Sequence, residues 1–128
     1  MYRMQKAFHR AALILPGLFF IAGGINHFLH SAFYVRIVPP WLPAPTFLVA
    51  MSGIFEFFGG LGTLIPATRR IAGIGLITLL IAVFPANVQM VLHPELYRDM
   101  GTQTAFLFRL PLQGVLIAWV WWTCLRSR

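Results

Sequence analysis

Glu56 and Arg109 are the only charged residues set well inside the long apolar runs of this chain. Ionisable groups in such surroundings cost about 2.5–3.5 kcal/mol each on insertion scales, so they tend to mark function or to hold structure together. At about 1.5 Å per helical residue, sequence position converts to depth, and the two differ by about 7–8 Å, a gap that two long side chains can close. The expectation is an intramembrane Glu56–Arg109 ion pair with His27 and Gln113 as hydrogen-bonding neighbours; a protonated Glu56 is the alternative. Asn87 and Gln89 fall in the outer half of their run, Asn26 and His27 near the outer end of theirs, and Gln113 one turn below Arg109. Glu56, Arg109, His27, Asn87 and Gln113 together form a candidate ligand or proton site. Arg109 would hold an anion or a carbonyl, and Glu56 or His27 would handle protons. A bundle-stabilising ion pair without a ligand is the competing reading.

Other chemistry is weaker. His27, His30 and His93, with Met90 nearby, could ligate copper or zinc, but histidines at helix ends more often make interfacial hydrogen bonds. Haem b would need His27 and His93 to face each other. Cys124, alone, excludes an internal disulfide and a CxxC redox pair. No phosphate loop, nucleophile elbow or HExxH motif is present, so no catalytic activity is expected of the isolated chain.

The elements that must position these residues follow from composition. Of 128 residues, 59% are hydrophobic and 10% charged, with mean hydropathy +0.77. A water-soluble domain carries about a quarter charged residues, so an integral membrane protein of one domain, 1–128, is expected. The net charge of +7 does not signal nucleic acid, because the basic residues lie between apolar runs. Four runs are long enough to cross a bilayer: 9–30, 46–66, 71–93 and 104–125. The fold class is therefore an all-α bundle of four transmembrane helices. MYRMQKAFHR followed by AALILPGLFF imitates a signal peptide, but without an A-x-A site it reads as an uncleaved first helix. Residues 31–45, with Pro39, Pro40, Pro43 and Pro45, read as an extended outer flap. Arg3, Lys6, Arg10, Arg69, Arg70, Arg126 and Arg128 share one side, which places both termini in the cytoplasm of a bacterial-type inner membrane. Trp119, Trp121 and Trp122 fit an aromatic belt on that side. Gly-rich faces allow a homo-oligomer. On the second run Ser52, Glu56, Gly59, Gly60 and Thr63 form a small, polar stripe, and on the third Gly75, Thr78, Ala82, Ala86 and Gln89 form another.

The strings AGGINHF, IVPPWLPAP, SGIFEFFGGLGTLIPATRR, IAGIGLITLLIAVFPANVQM and RLPLQ resemble the DoxX family of small four-helix membrane proteins over about residues 17–120. By that resemblance Glu56, His27, Asn87, Arg109 and Gln113 correspond to family motif residues. It implies an accessory subunit of a membrane redox system, linked to a quinone or to thiol and sulfur chemistry, with a quinone as the cofactor and a redox protein as partner. The chain departs from the family's redox members in lacking a cysteine pair, so electron transfer would need a bound quinone or a partner. The alternatives are an assembly or chaperone-like scaffold that holds a client protein, and a small proton-coupled transporter using Glu56. The lack of an inverted repeat counts against the last.

Overall fold

The computed structural model describes residues 1–126, which form helices and short connections with no strand among them. The helices are α1 (Tyr2–Leu29), α2 (Ser31–Ile37), α3 (Pro45–Leu64), α4 (Arg69–Leu92) and α5 (Gln103–Val120). One 3-10 turn, Pro94–Tyr97, follows α4, and α5 continues through a wider π turn, Trp121–Arg126. Four of these segments are long and apolar enough to cross a membrane: α1, α3, α4 and α5 with its extension. The protein is an all-α, four-span integral membrane bundle.

Three spans lie within two residues of the expected limits. The first starts earlier, because Tyr2–Arg10 is rich in strong helix formers and holds no breaker. The 31–45 flap also needs correction. Ser31–Ile37 contains no proline and folds as α2, and only from Val38, extended ahead of Pro39, do the prolines take over. Ala44, in the left-handed region at φ 50°, then turns the chain into Pro45, the first residue of α3. At the start of α5 the Thr102 hydroxyl accepts the Ala105 N–H at 3.2 Å.

Antiparallel α1 and α3 make the closest pair. Gly24 lies against Gly53 and Gly17 against the Gly60 region, both on one register, so backbone meets backbone. Gly59 and Gly62 face the other way, against Leu76 and Ala72 of α4, and α4 packs between α3 and α5. Gly75 and Thr78 of the second expected stripe are exposed rather than packed, while Gln89 is buried. Helix α5 is tied to α1 through a proline. Pro16 has no N–H to offer the carbonyl of Ala12, and Trp119 Nε1 donates to that carbonyl at 2.7 Å. Trp119 is thereby turned into the bundle, whereas Trp121 is exposed and its ring lies under Arg126. Arg128, counted among the basic charges, lies outside the described residues.

Two apolar clusters close the ends of the bundle. Leu13, Phe20, Leu76, Leu80, Val120 and Cys124 fill the half toward the basic termini. Ile37, Met90, Tyr97 and Phe106 fill the end that carries α2. There α2 is clamped to the α4–α5 connection. Arg36 donates to both carboxylate oxygens of Asp99, at 2.7 and 3.0 Å, and to the Leu96 carbonyl at 3.0 Å. Tyr97 returns a bond from its hydroxyl to the Arg36 carbonyl at 3.1 Å.

The hydrogen bonds from Arg36 hold the Asp99 carboxyl below its ordinary range. A depressed carboxyl contributes above its unfolded value and loses that contribution as pH falls through the lowered one. The clamp is therefore expected to hold at neutral pH and to loosen below about pH 4. Hydrogen exchange of amides 31–37, corrected for intrinsic rate, should rise in that range, and Arg36→Gln should raise it already at pH 7. Equal protection of variant and native protein at pH 7 would rule the clamp out.

Candidate functional site

Between the two apolar ends lies a cavity of about 760 Å³, lined from all five helices. Its polar atoms come from two walls. On the first, the glycines of α1 let α3 approach so closely that the Glu56 carboxylate lies directly over Gly23, in the space a Cβ would take. Glu56 Oε2 is 3.3 Å from His27 Nδ1, and Nδ1 is also 2.9 Å from the Gly23 carbonyl. A carbonyl only accepts, so Nδ1 carries the proton and Nε2 holds the lone pair of the neutral ring. The Tyr34 ring of α2 stacks on His27 with centroids 4.0 Å apart and planes 14° from parallel. Asn26 fixes that stack by donating to the Tyr34 hydroxyl at 2.6 Å, while its carbonyl oxygen lies 2.6 Å from Nδ1 of the exposed His30.

The second wall belongs to α4 and α5. Arg109 Nε donates to Asn87 Oδ1 at 3.1 Å, and Asn87 Nδ2 donates to Gln113 Oε1 at 2.7 Å. Gln113 in turn donates to the Leu80 carbonyl. This directional chain fixes the plane of the guanidinium from behind. Arg109 and Tyr34 line the same cavity, so both walls open onto one space.

Four of the five candidate residues, Glu56, Arg109, His27 and Asn87, line this one cavity. Gln113 does not; it is buried behind Asn87 and orients it. The expected Glu56–Arg109 ion pair is not formed. Glu56 points toward α1 and takes His27 as its partner, while α4 stands between α3 and α5 and supplies Asn87 to Arg109. The two charges share a cavity without touching. Tyr34 and Ser52 also line it; Ser52 lies on the polar stripe expected with Glu56, whereas Tyr34 was not anticipated. Tyr34 lies in a segment that reads as extended from its prolines, so nothing local announced that a helix would fold it onto His27.

The histidines weighed for metal are dispersed in role. His27 is engaged by Gly23 and Glu56, His30 by Asn26, and His93 lies 3.5 Å from Glu95 at the surface. Among the described residues no three histidine, cysteine, aspartate or glutamate side chains come together as a metal site.

The cavity also opens sideways. Phe19, Ala22 and Ala82 line it and are themselves exposed on the apolar flank of α1 and α4. The cavity thus reaches the outer surface of the spans beside α1 and α4. Its volume lies within the roughly 300–1,000 Å³ typical of small-molecule sites, mostly apolar with a few convergent polar groups. No curated protein and no solved structure matches the chain. A family model matches residues 15–124, from the middle of α1 to the end of the bundle, and so takes in every residue of both walls. The chain belongs to this family, described as a domain of unknown function, DUF8561.

Proposed function

We propose that the protein is a membrane-embedded accessory subunit of a redox system, and that its cavity holds the headgroup of a lipid-phase quinone. The observation that carries this reading is the pairing of opposed polar walls with a side opening in the apolar flank. A quinone-type headgroup is a compact ring with oxygen atoms on opposite edges and an apolar tail. The Arg109 wall offers donors to one edge, the His27–Glu56 wall meets the other, and the tail leaves toward lipid between α1 and α4. When bound, such a group would supply two-electron redox chemistry to a partner protein. The residues of this chain would bind it, orient it and hold protons near its oxygens. The resemblance to DoxX proteins supports the same reading. In this proposal the basic end faces the cytoplasm and α2 faces outward, by the distribution of arginine and lysine.

The test is to purify the protein in native nanodiscs and identify the organic molecules extracted from it. A stoichiometric quinone, lost in Glu56→Gln or Arg109→Ala, is the expected result. Preparations that hold only bulk lipid would overturn the proposal in favour of a scaffold that binds a client protein.

A further inference from the structure

Both walls of the cavity end in atoms that the protein leaves unbonded. His27 Nε2 has no hydrogen bond among the described residues, and neither has either terminal nitrogen of Arg109. Among the described residues no buried side-chain nitrogen or oxygen lacks a partner, so these atoms are accessible, and both residues line the cavity. The hydrogen-bond polarity of the two ends differs. Arg109 can only donate. His27, with its proton fixed on Nδ1 by Gly23, presents an acceptor at Nε2.

Charge balance supports the neutral ring. No acidic group lies within ion-pair distance of Arg109 among the described residues, and Glu56 is the one carboxylate lining its cavity. An ionised Glu56 with neutral His27 offsets Arg109 within this apolar enclosure, whereas a charged His27 would leave an uncompensated positive charge.

We propose that the cavity selects a hydroxyl-bearing aromatic ring, the hydroquinone form of a lipid-phase molecule, with one ring hydroxyl donating to His27 Nε2 and the opposite oxygen accepting from Arg109. This rests on the quinone-site reading above and adds which form the protein holds. The oxidised ring carries two acceptors. It suits Arg109 but sets a carbonyl lone pair against that of Nε2, leaving both without a proton to share. A buried acceptor without a donor costs more than a hydrogen bond gains, so discrimination between the two forms is strong for one changed proton. Tyr34, stacked behind His27 and held by Asn26, keeps the imidazole from turning to offer its other edge.

The experiment is calorimetric titration of the full chain in nanodiscs, anaerobically, with empty discs subtracted. The probes are decylhydroquinone, decylbenzoquinone and the dimethyl ether of the hydroquinone. The native protein is expected to bind the hydroquinone about tenfold more tightly than the quinone, with the ether no better than the quinone. His27→Phe should bring the hydroquinone and quinone affinities together, and Arg109→Gln should weaken both. The ether comparison needs no variant, so it decides the matter even where His27→Phe does not fold. Equal affinity for hydroquinone and quinone, or an ether that binds as well as the hydroquinone, overturns this inference alone. Native discs that take up none of the probes beyond empty discs overturn the quinone-site reading with it.

Discussion

Gly24→Ala is expected to force α1 and α3 apart and to lower the stability of the bundle by about 1–3 kcal/mol, the usual cost of overpacking. A Cβ at Gly24 would come within 2.6 Å of the Phe57 nitrogen and 2.7 Å of the Gly53 carbonyl oxygen. These are backbone atoms, so no side chain can swing aside and the helices themselves must move. Gly60→Ala should behave alike, because its Cβ would meet the Gly17 carbonyl at 2.7 Å and the Ile21 nitrogen at 2.9 Å. The loss should reach the cavity as well. Gly23, His27 and Glu56 hang on this interface, and a shift of a few tenths of an ångström parts the His27–Glu56 contact at 3.3 Å. Gly75→Ala and Gly114→Ala are the controls, since a Cβ at either meets nothing within 4 Å. Both should unfold like the native protein. Denaturation by sodium dodecyl sulfate from mixed micelles gives the comparison, and equal midpoints for Gly24→Ala and Gly114→Ala would refute the close-packing account.

That interface also explains what could be read along the chain and what could not. Apolar run length places α3, α4 and α5 closely, because spanning the hydrocarbon core is a one-dimensional requirement. It fails at the start of α1, where helix propensity outlasts apolarity, and at α2, where four prolines past Val38 masked a proline-free heptapeptide. The grouping of the candidates was legible too: Glu56, Arg109, His27 and Asn87 line one cavity. Which of them pair was not legible, because pairing depends on which helices are neighbours. Gly23 and Gly24 draw α3 against α1, and that choice gives Glu56 to His27 and leaves Arg109 to Asn87. Gln113 shows the same limit. Its position one turn from Arg109 suggested a shared ligand, but its side-chain oxygen accepts from Asn87 and its amide N–H goes to the Leu80 carbonyl instead.

Glu56→Gln and Arg109→Met separate what the cavity binds from what keeps the bundle standing. Glu56→Gln keeps the shape of the side chain but removes the anion that offsets Arg109 and anchors His27. Arg109→Met removes the cation and the bond to Asn87. Each single change leaves one uncompensated charge at apolar depth and should lower stability by about 2–3 kcal/mol. If the two charges balance across the cavity, the double variant loses about as much as either single, and not their sum. Ligand retention should follow a different pattern, falling at least about tenfold in all three proteins, because Arg109→Met removes one hydrogen-bonding end and Glu56→Gln removes the carboxylate that anchors the other, His27. Denaturation midpoints and extracted ligand, measured on the same preparations, test both halves. Strictly additive stability losses would show that Glu56 and Arg109 do not sense one another, and the charge balance invoked for a neutral His27 would go with them. A double variant no less stable than either single, yet empty of ligand, is the expected outcome: the second charge can be removed at no further cost to the bundle, so a separated pair of charges serves binding and not folding.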